Sequence, residues 1–213
     1  MAGPGPTREG QSMRQEILTA ARALFVQQGY RGLSMSMLAR AVGVSKAALY
    51  YHFRDKEELF LAVLKELLDE LEILINEVSA ETSDSRQQIR LLINRIMVWP
   101  PAQRAAIRLA SQEISRLSPQ ASQRFQQLYH EKFIGKIQAI IEKGIQAGEL
   151  RAVDPSLATW ALLGMMYPYF YGTHSAESLS PDALSAQLLR IYLDGLEQED
   201  FNREGNSGRR APG

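Results

Sequence analysis

Residues 34–56, SMSMLARAVGVSKAALYYHFRDK, decide the fold at the N-terminal end of this chain. A short amphipathic segment over residues 34–42 ends at Gly43-Val44, and a second short segment follows over residues 45–51. Two short helices joined by a tight, glycine-containing turn are typical of a helix-turn-helix, whose second helix enters the major groove of DNA. The stretch therefore predicts a DNA-binding protein and not an enzyme.

The second of these helices is predicted to have one buried side and one outward side. Leu49 points inward, while Lys46 and Tyr50 lie four residues apart on the outward side. The outward surface is completed by Ala47, Ala48 and Tyr51. A phenol can donate a hydrogen bond to a phosphate oxygen while its ring packs on sugar or on a thymine methyl group. The alternative is that these tyrosines are ordinary core aromatics of a helical bundle.

The same run of residues resembles the DNA-binding domain of the TetR/AcrR family of bacterial transcriptional repressors. The resemblance covers about residues 13–65 and rests on Ala39, Gly43, Val44, Ser45, Lys46, Leu49, Tyr50, Tyr51, His52, Phe53, Lys56, Glu57, Glu58 and Leu59. Met37 stands where the family usually has an acidic residue. Beyond this region the chain fits the family only in its length and helical character.

The resemblance implies which residues meet DNA. Base edges are assigned to Lys46, Ala47, Ala48 and Tyr50, and phosphates to Ser34, Tyr51, His52 and Lys56; Ser45 completes the predicted DNA-binding set. Because the two alanines offer only apolar contact, DNA shape is expected to contribute to recognition. For His52 an alternative is open, since a histidine at the C-terminus of a short helix is often a simple cap.

Composition narrows the remaining classes of function. The chain has 213 residues, 45% of them hydrophobic, which is enough for a substantial core. It has no cysteine, and its three histidines are far apart, so neither a metal nor another cofactor is predicted. No apolar run reaches the ~18 residues of a membrane span, which favours a cytoplasmic protein. Net charge is zero, but residues 1–60 hold eight basic and five acidic residues, a modestly basic end that suits phosphates.

Apolar periodicity and proline positions predict an all-α protein of about nine helices. These helices are expected at about residues 13–28, 34–42, 45–51, 56–79, 85–98, 102–116, 120–146, 155–171 and 181–196. The predicted organisation is a disordered arm (1–12), a helix-turn-helix domain (13–60), a helical effector-binding and dimerisation domain (61–198) and a flexible tail (199–213).

Two further sites are predicted in the second domain, both with the help of the resemblance. One is an effector pocket, with ligand-binding residues Met97, Trp99, Glu113, Tyr129, His130, Phe133, Met166 and Phe170. The other is a homodimer interface, formed by Trp160, Ala161, Gly164, Met165, Leu184, Leu188 and Ile191. For both sets, plain packing inside the chain's own core is the alternative.

The leading hypothesis is a ligand-responsive repressor that binds a palindromic operator in double-stranded DNA as a homodimer and is released by a small apolar or aromatic effector. An all-α enzyme is a weaker alternative, because the sequence has no phosphate-binding loop and no recognisable catalytic arrangement. A helical interaction protein without DNA binding is a third possibility, and activation in place of repression stays open.

Overall fold

A computed structural model describes the backbone of residues 8–171 and 179–196 of this protein. These residues form helices joined by short turns and include no strand, which confirms the predicted all-α class. In chain order the helices are α1 (Arg8–Gly32), α2 (Met35–Val42), α3 (Lys46–His52), α4 (Lys56–Glu81), α5 (Ser85–Met97), α6 (Pro101–Glu113), α7 (Pro119–Tyr129), α8 (Gly135–Gln146), α9 (Pro155–Tyr171) and α10 (Pro181–Leu196). No helix within the described ranges is long and apolar enough to cross a membrane.

Helices α7 and α8 form one continuous helix, so the described residues contain nine helices, the number that the sequence predicts. They are joined by a π-helical turn over His130–Ile134, which the sequence did not predict. A π turn inserts one extra residue into the helix and rotates everything after it, and such turns are often found at functional sites. This turn therefore sets which side chains of α8 face the same way as those of α7.

The start of α1 differs from the prediction. The helix begins at Arg8, within the segment 1–12 that the sequence predicted to be disordered. No proline lies between Arg8 and Met13, so nothing ends the helix there. At its other end Gly29 has φ 70° and interrupts the regular helix, close to the predicted end. Residues 1–7 and the predicted tail 199–213 lie outside the described residues.

The turn between α2 and α3 is a Schellman motif. Gly43 has φ 77° and ψ 25°, a left-handed conformation that glycine adopts at no steric cost. Its N–H donates to the carbonyl of Arg40 at 3.3 Å, and the N–H of Val44 donates to that of Ala39 at 3.0 Å. The two orphan carbonyls at the end of α2 are thus satisfied, which fixes the direction in which α3 leaves.

Helix α4 is the central element of the molecule, because it has buried apolar side chains along most of its length. Its buried side chains are Leu59, Phe60, Val63, Leu64, Leu67, Leu68, Leu71, Leu74, Ile75 and Val78. Near its start, Phe60 packs edge-on against Phe25 of α1, with ring centroids 4.8 Å apart. Further along, α4 packs on α5, α6 and α7. The predicted domain boundary after residue 60 therefore falls inside a single helix that packs on both predicted domains.

Candidate DNA interface and effector cavity

The head, residues 8–53, presents α3 on its surface. Ser45 caps the N-terminus of this helix, because its Oγ accepts a hydrogen bond from the N–H of Ala48 at 3.0 Å. Leu49 is fully buried and anchors α3 to the helices behind it. The opposite side of α3 is consequently held in place while remaining open to solvent.

Two tyrosines dominate that open side. Tyr50 is 43% exposed and Tyr51 is 84% exposed, so neither is a core residue in this chain. The ammonium of Lys46 lies 5.9 Å from the centre of the Tyr50 ring, at the outer limit of a cation–π contact. Ala47 is exposed and Ala48 is half-buried on the same helix. The predicted base-reading residues thus share one short, capped helix.

The residues predicted to hold phosphates surround this helix. Ser34 caps α2, its Oγ accepting from the N–H of Met37 at 3.2 Å. A hydroxyl that accepts from a backbone amide still has its own proton to donate, so Ser34 and Ser45 can cap a helix and contact a phosphate at once. His52 ends α3 and packs edge-on against Tyr51, with ring centroids 5.2 Å apart.

Lys56 has a structural task that the sequence did not predict. Its ammonium donates to the carbonyls of Tyr30 at 2.8 Å and of Leu33 at 3.1 Å, and lies 4.4 Å from the centre of the Tyr30 ring. A lysine held in this way is less available to a phosphate than a free one. Lys56 instead ties the first turn of α4 to the end of α1 and to the loop that follows it.

The next residue, Glu57, ties the same turn to the body, which is formed by the rest of α4 and by helices α5–α10. Its carboxylate accepts hydrogen bonds from the N–H of Ser118 at 2.8 Å and from the Ser118 hydroxyl at 2.7 Å. Ser118 in turn caps α7 by accepting from the N–H of Ala121. Two consecutive residues at the start of α4 therefore bind different parts of the molecule: Lys56 binds the head and Glu57 binds the N-terminus of α7.

A cavity of about 540 Å³ lies in the body, within the size range of ligand sites. It is open to solvent on one side and is lined by α4, α5, α6, α7, the π turn and α9. The lining residues are Leu67, Leu68, Leu71, Ile96, Ile107, Ala110, Ser111, Ile114, Phe125, Gln126, Tyr129, His130, Phe133, Ile134, Trp160, Leu163, Met166, Tyr167 and Phe170. The described lining residues include no Asp, Glu, Lys or Arg, so the cavity suits an apolar, uncharged ligand.

Three aromatic rings form one wall of the cavity. Phe125 and Tyr129 stack with centroids 5.8 Å apart and planes 10° apart, and Tyr129 and Phe133 follow at 5.7 Å and 32°. Burial raises the pKa of the Tyr129 phenol to about 12, with a smaller contribution from Tyr167. The phenol is therefore uncharged at neutral pH and can donate a hydrogen bond.

Five of the eight predicted ligand-binding residues line this cavity, namely Tyr129, His130, Phe133, Met166 and Phe170. The other three do not, which corrects the prediction. Met97 is 2% exposed and packed into the core, and half-buried Trp99 follows α5 outside the cavity. Glu113 lies beside Gly29 and pairs with Arg116 at 2.9 Å. The sequence missed the aliphatic residues of α4 and α6 in the lining, because their spacing looks like that of any core helix.

The predicted dimer surface is divided by the structure. Trp160 and Ile191 are exposed, and so are Ala161 and Gly164. Met165 is half-buried against the core. Leu184 and Leu188, however, are 8% and 9% exposed in a single chain, so they pack on their own core and cannot form much of a surface for a second copy. Leu157, also exposed on α9, extends the apolar face.

Comparison with known families matches both halves of the chain. Residues 17–63 match the model of the bacterial regulatory proteins of the tetR family, and residues 82–196 match the tetracyclin repressor-like C-terminal domain. The chain belongs to the TetR family. It is thus a DNA-binding transcriptional regulator and not an enzyme, as its sequence predicted.

Individual relatives of this TetR-family chain agree with that assignment. The chain is 28% identical over 201 residues to the transcriptional repressor KstR2 of Rhodococcus jostii, covering 91% of this chain and 96% of the relative. The structure of the ketosteroid transcriptional regulator KstR2 of Mycobacterium tuberculosis has the same fold, with a TM-score of 0.70, 22% identity, and coverage of 93% and 99%. So does FadR from Bacillus subtilis in complex with stearoyl-CoA, with a TM-score of 0.75, 19% identity, and coverage of 86% and 99%.

Proposed function

We propose that this protein is a repressor that binds a palindromic operator as a homodimer and leaves it when a small apolar or aromatic effector occupies the cavity in the body. The observation that carries the proposal is the outward side of α3, where Lys46, Tyr50 and Tyr51 stand exposed on a helix fixed by Ser45 and Leu49. Two large exposed aromatics contribute nothing to the core, so DNA contact is the best reason for their presence.

Dimerisation is supported by the exposed apolar face of α9 and α10. Its members are Leu157, Trp160, Ala161, Gly164 and Ile191. One head offers few contacts, whereas a twofold-symmetric dimer places two heads on successive turns of the duplex, roughly 34 Å apart. Exposed Ala161 and Gly164 would let α9 of one chain come close to that of its partner. A protein with this task works in the cytoplasm, where operator DNA is accessible.

The effector is supported by the cavity and, more distantly, by the relatives. FadR was solved with stearoyl-CoA, and the KstR2 relative is described as a ketosteroid regulator. Both names point to effectors with a large apolar part, which fits the lining of this cavity. The likeness to these two structures concerns the fold, so the effector class of this chain rests on its own cavity.

Release is best explained by the junction at the start of α4. Helix α7 supplies Phe125 and Tyr129 to the cavity and is joined to Glu57 through Ser118. An effector that displaces α7 would act on Glu57, and the neighbouring Lys56 would pass the change to the head. The effector lowers DNA affinity only if it binds the displaced form more tightly than the operator-bound form.

The test is selection of bound sequences from a random pool of duplex DNA by the purified protein. We expect the wild type to enrich a palindrome, with affinity that falls steeply as salt rises. Tyr50→Ala should lose the enrichment, whereas Ile73→Ala, which truncates an exposed apolar residue on α4, should keep it.

Enrichment by Tyr50→Ala equal to that of the wild type would contradict the assigned DNA interface. Failure of the wild type to enrich any sequence, also after unfolding and refolding to remove bound ligand, would contradict the proposed function. If the protein then binds a protein partner with an affinity that depends only weakly on salt, the alternative of a helical interaction protein is favoured.

A further inference from the structure

The polar atoms of the cavity are few, and most of them are already satisfied. The hydroxyl of Ser111 donates to the carbonyl of Arg108 at 2.8 Å. Gln126 and His130 are exposed, so water can satisfy them without any ligand. The hydroxyl of Tyr129 differs, because it forms no hydrogen bond within the part of the chain that the structure describes, and its half-buried ring belongs to the aromatic wall. A hydroxyl without a protein partner is available to donate a hydrogen bond to a ligand in the cavity.

Tyr129 also has the central position in the aromatic wall. Its ring lies between those of Phe125 and Phe133, at 5.8 Å and 5.7 Å. A flat apolar ligand that packs along this wall therefore passes the Tyr129 hydroxyl at its middle. Offset stacking of such a ligand on the rings adds to the area that it buries.

The charge of the lining limits the ligand further. Among the described lining residues there is no lysine or arginine to neutralise an anion and no carboxylate to neutralise a cation. Moving a charged group into such a cavity without a partner is strongly unfavourable. Apart from the exposed imidazole of His130, no side chain of the described lining can neutralise a charge, so the cavity favours an uncharged ligand.

We propose that Tyr129 selects the effector by donating a hydrogen bond from its hydroxyl to an uncharged acceptor, such as a carbonyl oxygen, on an apolar ligand. The inference rests on the proposed role of the cavity as the effector site. Two sources supply this chemistry, a polycyclic ketone and the thioester carbonyl of an acyl chain whose charged carrier stays outside. Tyr129 is then a specificity-determining residue, while the neighbouring aliphatic side chains supply most of the affinity.

The test uses two probes that differ only in the carbonyl, fluorenone and fluorene, titrated calorimetrically into the full-length protein. We expect the wild type to bind fluorenone about three- to tenfold more tightly than fluorene, the range for one hydrogen bond. Tyr129→Phe removes only the hydroxyl and should bind both probes equally. Tyr167→Phe removes the other phenol of the lining and should keep the difference, and thermal unfolding checks that both variants fold.

Two more probes define charge and source. Fluorenone carrying a carboxylate should bind at least about tenfold more weakly than fluorenone. Octanoyl-CoA distinguishes the two sources. If the wild type binds octanoyl-CoA and Tyr129→Phe binds it more weakly, the acyl thioester is supported. If the wild type binds fluorenone tightly and does not bind octanoyl-CoA, the polycyclic ketone is supported.

Equal binding of fluorenone and fluorene by the wild type, an unchanged ratio in Tyr129→Phe, or no binding of any probe would overturn the proposal. Calorimetry needs no DNA, so the result is independent of operator binding. A protein that binds fluorenone through Tyr129 but enriches no DNA sequence would contradict the proposed function alone.

Discussion

The head and the body of this protein differ in how their candidate functional residues are held. In the head, polar and aromatic side chains stand on one exposed side of a seven-residue helix, and a serine cap and a glycine turn fix its direction. In the body, the cavity is a space left between apolar helices, and its walls come from residues far apart in the chain. An exposed interface is thus defined by a few residues close in sequence, whereas a cavity is defined by packing.

The junction at Lys56 and Glu57 connects these two regions. Because α4 belongs to both, the head cannot shift against the body without breaking the hydrogen bonds of at least one of these residues. The contrast between the regions can be tested by disturbing the body, the junction and the head in turn.

The largest effect is expected from Gly164→Arg in the body. Nothing lies within 4 Å of the position that a Cβ would take at Gly164, so a single chain can accept the side chain, and arginine favours the helix more than glycine does. A close α9 contact between two chains cannot accept it. We expect a monomer by analytical ultracentrifugation and a loss of DNA affinity of at least about a hundredfold, since two linked heads bind far better than one.

The control for this variant is Ala139→Arg, which adds the same side chain at an exposed position on α8. It should remain dimeric with normal DNA affinity. If Gly164→Arg also stays dimeric, the interface between copies lies elsewhere on the molecule.

An intermediate effect is expected from Ser118→Asp at the junction. Aspartate still caps α7, but the hydrogen bond from the Ser118 hydroxyl to Glu57 is lost, and the new carboxylate repels that of Glu57 and so weakens the remaining bond from the backbone N–H. We expect a loss of about 1.5–3 kcal/mol in the free energy of unfolding, the range for a hydrogen bond to a charged group. Amide exchange should become faster in residues 8–53 and stay unchanged in α8.

Adding Glu57→Gln to this variant supplies an amide donor and should restore most of the stability. Gln123→Asp, which adds one exposed charge on α7, controls for the charge itself. Faster exchange in α8 as well would mean that the head and the body do not separate at this junction.

The smallest effect is expected from Asp55→Asn. Asp55 is the N-terminal cap of α4, at the edge of the head. The N–H of Glu58 donates to the Asp55 carboxylate, and this hydrogen bond is the main reason why the pKa of Asp55 is lowered. A lowered pKa stabilises the fold above the normal aspartate pKa, and this stability is lost as pH falls below about 4. Asparagine caps a helix nearly as well but does not titrate.

We therefore expect the difference in unfolding free energy between the wild type and Asp55→Asn to be about half a kcal/mol at pH 7, since the carboxylate is partly exposed. The difference should shrink towards pH 3 in urea titrations. If the unfolding free energies of the wild type and Asp55→Asn differ by the same amount at every pH between 7 and 3, the charge of Asp55 does not stabilise α4.

The sequence by itself determined the helical class and the details of the head. Ser34, Gly43, Ser45 and Leu49 act through local geometry, because capping, a left-handed turn and helical spacing depend only on neighbouring residues. Such features are readable from the order of residues. The same reasoning located most of the helices, since prolines and glycines mark where they start and end.

Only the tertiary structure decided which apolar residues enclose space and which fill it. Met97 and Met166 have the same side chain, yet Met97 is packed in the core and Met166 lines the cavity. Leu188 and Ile191 are three residues apart on α10, yet one is buried in its own chain and the other is exposed. The π turn over His130–Ile134 and the hydrogen bonds of Lys56 likewise depend on long-range packing. Burial is set by what the rest of the chain places opposite a residue, and the local sequence carries no record of that.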